Sequence, residues 1–121
     1  MKDLLPANAA ATYRLAGRVW LEGPTERFLG IGRLELLRHI QATGSISRAA
    51  ALMGMSYKRA WDLVQSMNAQ ARQPLVATQA GGHRGGGARL TETGETALAT
   101  FEGVQARFAV FLEQETRHLL G

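Results

Sequence analysis

Two glycine–serine junctions constrain this chain more than any other feature of its sequence. Gly44 stands directly before Ser45, and Gly54 stands two residues before Ser56. Glycine takes the left-handed conformation that closes one helix, and a serine hydroxyl accepts the free N–H groups that open the next. The punctuation therefore predicts three successive helices: Gly32 to Thr43, a short one after Ser45, and a third from about Tyr57 to Ala71. In the first, Leu34, Leu37 and Ile40 fall three apart, with Ile31 before them and Leu36 beside the stripe, making one apolar face. In the second, Ile46, Ala49, Ala50 and Met53 line the buried side, and the small alanines admit a close helix crossing. In the third, Tyr57, Ala60, Trp61, Leu63, Val64 and Met67 share an arc that needs a core. Lys58, Arg59, Asp62, Gln65 and Ser66 point the other way.

The flanks add small β elements. Tyr13, Leu15, Gly17, Val19 and Leu21 alternate with period two, which predicts a strand. Gly23-Pro24 is a turn signal, and Arg27-Phe28-Leu29 can return as a second strand to give a hairpin. After Pro74, the run Leu75 to Gln79 reads as another strand, with Ala88-Arg89-Leu90 as its partner across the glycine run Gly81–Gly87. Thr91 can cap a last helix, with Glu92 and Glu95 at its positive end and Gly94 as a weak helix residue. That helix could run about 28 residues, or about 42 Å. On it, Phe101, Val104, Phe108 and Phe111 repeat three, four, three, the spacing of a helix–helix seam. The expected fold is mainly α with a small β component. It is a winged helix-turn-helix with an N-terminal strand hairpin and a long C-terminal dimerisation helix. Residues 1–12 form a loose end, 13–90 the winged domain and 91–121 the dimerisation helix. The competing reading of the seam packs its aromatics on the chain's own N-terminal hairpin.

Charge points to a partner. The net charge is +4, yet Ser45 to Arg89 carries six basic residues (Arg48, Lys58, Arg59, Arg72, Arg84, Arg89) and one acid, Asp62. That segment is +5, while Thr91 to the end has two arginines against five acids, or −3. A polarised patch of this kind attracts a polyanion. The chain has no cysteine, and His39, His83 and His118 lie on different elements, so neither a metal site nor thiol chemistry is expected. No nucleophile–base arrangement or carboxylate pair is visible, so no catalytic residue is assigned. No apolar run approaches the roughly 20 residues of a membrane span. Nor does the start resemble a secretion signal, so a cytoplasmic protein is expected.

These features converge on double-stranded DNA. A major groove admits an α-helix, and Ser56, Tyr57, Lys58 and Arg59 would head the helix that enters it. Arginine reads guanine through two parallel hydrogen bonds, and lysine reaches guanine or phosphate. Ser45, Ser47 and Arg48 would grip a flanking phosphate. Asp62 would accept from cytosine or orient Arg59, and the sequence leaves both open. Tyr57 and Trp61 sit on the apolar arc and read as mainly core, with the Tyr57 hydroxyl in reach of phosphate. The loop Gly81, Gly82, His83, Arg84, Gly85, Gly86, Gly87 lacks the Gly-Lys-Ser/Thr of a nucleotide loop. It reads either as a plain hairpin tip or as a wing bringing His83, Arg84 and Arg89 to the DNA backbone or minor groove. A protein-interaction adaptor built on the same fold and the Phe101–Phe111 seam is the alternative to DNA binding.

Certain runs are more specific. Gly44-Ser45-Ile46-Ser47-Arg48-Ala49-Ala50, then Met55-Ser56-Tyr57-Lys58-Arg59-Ala60-Trp61-Asp62, then Met67-Asn68, resemble the DNA-binding domain of ModE-type molybdate-responsive regulators. The Gly81–Ala88 run with Leu90-Thr91 and Gly94 is similar to theirs, and the Leu-Thr-x-x-Gly junction is shared with LysR-type regulators. The resemblance implies a dimeric winged-helix domain on an inverted-repeat operator, with a link to molybdenum metabolism. Full-length members bind molybdate through C-terminal OB-like modules, whereas this sequence stops at Gly121. No cofactor is therefore expected within these 121 residues, and a separate molybdate-binding protein is a candidate partner.

Overall fold

The helices follow the glycine–serine punctuation. The computed structural model describes residues 3–79 and 87–121. A short helix α1 (Ala9–Thr12) leads to the strands β1 (Leu21–Glu22) and β2 (Arg27–Leu29). Three helices follow, α2 (Ile31–Thr43), α3 (Ile46–Leu52) and α4 (Tyr57–Gln70). Then come β3 (Val76–Thr78), β4 (Ala88–Leu90) and the long α5 (Glu92–Leu120). Contacts divide the chain into two units, residues 20–102 and residues 3–19 with 103–121. The boundary between these units falls inside α5, after Glu102.

In the larger unit, Leu34, Leu36, Leu37 and Ile40 of α2 are fully buried. Gly44 ends α2 at φ +70° and donates its N–H to the Ile40 carbonyl (2.8 Å). Ser45 then turns extended, and its hydroxyl accepts the Arg48 N–H at 3.1 Å. Gly54, at φ +65°, closes α3 in the same way, and the Ser56 hydroxyl accepts the Arg59 N–H at 3.1 Å. Helix α3 packs on both α2 and α4, with Ala49, Ala50 and Ala60 buried. Three small side chains thus let the two helices of the turn lie close.

The wing strands pair antiparallel, with Val76 opposite Leu90, Ala77 opposite Arg89 and Thr78 opposite Ala88. The Ala88 N–H also donates to the Gly44 carbonyl (2.9 Å), fixing the returning strand to the α2–α3 junction. Thr91 joins wing to α5. Its hydroxyl donates to the Pro74 carbonyl at 2.6 Å and accepts the Gly94 N–H at 3.0 Å.

The first hairpin is shorter than its period-two pattern predicts. Only Leu21 and Glu22 pair with β2, and residues 13–20 carry no strand pairing. The hairpin is held by side chains instead. The Arg27 guanidinium lies 4.0 Å over the Trp20 ring, and Gln70 donates to the Arg27 carbonyl at 2.9 Å. Ser66 and Arg33 both donate to Glu26, and these bonds hold its carboxyl below the usual carboxylate range.

In the smaller unit, residues expected to be a loose end form α1, and the segment after it lies along α5. Leu15 donates its N–H to the Thr116 hydroxyl (2.8 Å), while Gly17 lies against Phe108 and Leu112. A Cβ at Gly17 would sit 3.3 Å from the Phe108 ring, so glycine lets the backbone lie flat on it. The segment therefore spends its hydrogen bonding on a helix, not on a sheet.

Gly94 gives the sharpest test of this packing. It is buried, and an added Cβ would overlap the Leu75 carbonyl oxygen. Helix propensity alone says that Gly94→Ala should stabilise α5 by about 1 kcal/mol. The overlap with backbone predicts the opposite sign, a loss of about 1–3 kcal/mol in denaturant unfolding. A rise in stability would show that Leu75 can move aside freely.

Candidate nucleic-acid interface

The interface is built on the first turn of α4. Ser56, Tyr57, Lys58 and Arg59 are all exposed there, on a helix whose opposite side buries Ala60, Val64 and Met67. The Ser56 cap fixes where that turn begins. Among the described residues the Arg59 guanidinium has no hydrogen-bond or ion-pair partner, so it is available to a ligand. Lys58 is engaged: its ammonium bonds Asp62 Oδ2 at 3.1 Å and Oδ1 at 3.4 Å. Of the two roles open to Asp62 from sequence, orienting Arg59 is not what the structure shows, since its partner is Lys58.

Tyr57 departs from the helical-wheel reading. It is 54% exposed rather than core. Its ring stacks on half-buried Trp61, with centroids 6.3 Å apart and planes 22° apart. The first turn of α4 projects past the core that covers the rest of the apolar arc, which leaves Tyr57 beside Lys58 and Arg59.

The start of α3 carries the serine cap that the sequence predicts. Ser45 uses its hydroxyl to take the Arg48 N–H, so that N–H is not free to meet a phosphate. Ser47 and Arg48 are exposed. They can grip an anion with a hydroxyl and a guanidinium. On β4, Ala88 and Leu90 face inward and Arg89 outward, which sets one cation on the outer side of the wing. Gly87 carries its carbonyl to the Gln79 N–H (2.9 Å). The expected wing residues Gly81, Gly82, His83, Arg84, Gly85 and Gly86 lie outside the described residues.

Asn68 was not singled out as a functional position by sequence, beyond its place in a motif. Its side-chain oxygen accepts the N–H groups of Leu75 (2.8 Å) and Val76 (3.1 Å), and its NH2 donates to the Val76 carbonyl (3.0 Å). One amide thus clamps the end of α4 to the base of the wing. No local pattern announces this, because the partners lie seven and eight residues downstream.

Of the expected seam, Phe101 is 5% exposed and belongs to the core of the larger unit. Val104 and Phe108 are half-buried, and Phe111 is 50% exposed. Phe108 and Phe111 stack with centroids 6.3 Å apart. Also exposed in the smaller unit are Tyr13, Leu15, Val110 and Leu119. No helix among the described residues is long and apolar enough to cross a membrane.

Residues 31–95, from α2 into the start of α5, match the family model of bacterial regulatory helix-turn-helix proteins of the lysR family. This chain belongs to that family. The matched span covers the capped helix-turn-helix, the wing strands and the Thr91–Gly94 junction. Among curated relatives, this lysR-family chain is 36% identical over 106 residues to the molybdenum transport protein ModE of Azotobacter vinelandii, covering 88% of this chain and 39% of that protein. It is 43% identical over 106 residues to the molybdenum-pterin-binding protein MopB of Rhodobacter capsulatus, with the same coverage of each. It is 43% identical over 70 residues to the DNA-binding transcriptional dual regulator ModE of Escherichia coli K12, covering 58% of this chain and 27% of that protein. The chain thus spans about two fifths or less of the curated relatives it matches.

The clamp makes Asn68 measurable. Asn68→Ala strands the N–H groups of buried Leu75 and Val76, at about 1–3 kcal/mol for each unsatisfied group. Unfolding should show a loss of at least about 2 kcal/mol, and hydrogen exchange should quicken at Val76–Thr78 before α2. Unchanged protection there would remove the clamp from the account.

Proposed function

We propose that this chain is the DNA-binding part of a ModE-type transcriptional regulator that binds an inverted-repeat operator as a homodimer. The observation that carries this reading is the capped first turn of α4, which presents Arg59, without a partner among the described residues, beside Tyr57 and Lys58. It does so within a segment whose only acid is Asp62. That turn has the length and chemistry to enter a major groove, with Arg59 reading guanine. Ser47 and Arg48 of α3, and Arg89 of the wing, would hold backbone phosphates on either side. His83 and Arg84 remain the proposed wing-tip contacts. The link to molybdenum rests on the printed names of the relatives. Molybdate itself would act through a region or protein other than these residues. The site of action would be the cytoplasm, where bacterial DNA is.

Dimerisation is supported by the exposed apolar residues of the smaller unit. Phe111, Val110, Tyr13 and Leu15 are each exposed among the described residues, and we infer that they make up one apolar strip. A second copy would cover it, and two-fold symmetry would then match an inverted repeat. Val104 and Phe108, half-buried, lie in the same unit as these residues, whereas Phe101 belongs to the core of the larger unit.

The same strip favours a second reading, an adaptor that binds protein and not DNA. Salt separates the two. Duplex binding should weaken steeply as salt rises, with a slope near −0.9 per phosphate neutralised, whereas an apolar interface should not. On duplexes selected from a random pool, Arg59→Ala should lower affinity by about 1–3 kcal/mol. A salt-insensitive complex, or one indifferent to Arg59→Ala, would leave the adaptor. Separately, Phe111→Asp should give monomers by light scattering while the helical circular dichroism persists. An unchanged dimer mass would place the interface elsewhere.

A further inference from the structure

The Lys58–Asp62 pair has a consequence for sequence discrimination, and it rests on the DNA-binding reading above. Asp62 is the one acid between Ser45 and Arg89, and it stands on the outward arc of α4, one turn after Lys58. Both of its oxygens reach the Lys58 ammonium, at 3.1 and 3.4 Å. The pair is solvent-exposed, with side chains 82% and 57% accessible. An exposed i,i+4 pair of this kind adds little to the stability of a helix. Helix stability alone therefore gives little reason to place an acid in the middle of a basic surface meant for a polyanion.

We propose that Asp62 is a specificity-determining residue that acts by holding Lys58 back from non-cognate DNA. With the pair closed, Lys58 is neutralised and adds nothing to the grip on phosphate. Should the pair open near a phosphate, the carboxylate is left bare beside a negative charge. Opening is favoured only where the groove offers Asp62 a hydrogen-bond donor. In the major groove that donor is an exocyclic amine, and cytosine N4 presents one with no acceptor of its own on that edge. At such a base pair the carboxylate accepts from the amine, and Lys58 is released to the neighbouring guanine or phosphate. One residue thereby lowers affinity for random duplex more than for the right one, which is how repulsive elements create specificity.

The test measures Asp62→Asn against wild type on two duplexes, the best sequence from a random-pool selection and a scrambled control, across a salt series. The carboxamide keeps the size and shape of the side chain and removes the charge. On the scrambled duplex, affinity should rise about tenfold, and the salt slope should steepen by about 0.9 as Lys58 gains a phosphate. On the selected duplex, affinity should stay level or fall, so the ratio between the two narrows at least tenfold. In a Lys58→Ala background the same substitution should leave the slope unchanged. Equal effects on both duplexes, with no change in slope, would overturn the proposal and leave Asp62 a helix-surface partner. Wild-type protein that binds neither duplex in a salt-dependent way would instead remove the DNA-binding reading on which the proposal rests.

Discussion

One residue joins the helix-turn-helix to the wing. Gly44 closes α2 through its N–H and, through its carbonyl, accepts the Ala88 N–H of the returning wing strand. Its left-handed backbone also turns the chain so that Ser45 can open α3. A side chain at this φ is strained, and a shifted carbonyl would release the wing. The geometry of helix, turn and wing is thus set by a contact that no DNA-facing residue makes. Asn68 supplies the second tie, from the end of α4 to the base of β3. Between these two anchors, α4 and the wing strands are held as parts of one body.

The polarity of the surface then follows from what these anchors leave outside. The apolar arc of α4 is consumed by α3 and the core, so its charged arc has nowhere to go but solvent. Arg59 stays unpartnered among the described residues, while Lys58 is countered by Asp62. A basic surface with one internal acid binds random duplex less tightly than it could. It can discriminate better between them, because the acid must find a donor or face a phosphate.

Local signals were legible and long-range ones were not. Both serine caps and both helix-closing glycines sit where the sequence places them, because a cap needs only its next three residues. The three-apart leucines of α2 are buried for the same local reason. Tyr57 was misread because a helical wheel knows the direction of a side chain but not how far the core extends along the axis. Phe101 and Phe111 share a repeat yet meet different surroundings, since α5 outruns the unit that buries its first turns. Residues 13–20 alternate as a strand does, but pairing needs a neighbour, and the segment lies along α5 instead. Gly94 looked like a weak helix residue. Its reason is the Leu75 backbone lying against it, brought there by the wing.

The central claim is that the first turn of α4 reads bases. Comparing the duplex sequences selected by wild type and by Arg59→Ala tests it most directly. The account predicts an inverted repeat with half-sites about one helical turn apart, and loss of preference at one guanine in each half-site while the rest of the motif survives. Identical motifs from the two proteins, or a preference weakened evenly at every position, would contradict it.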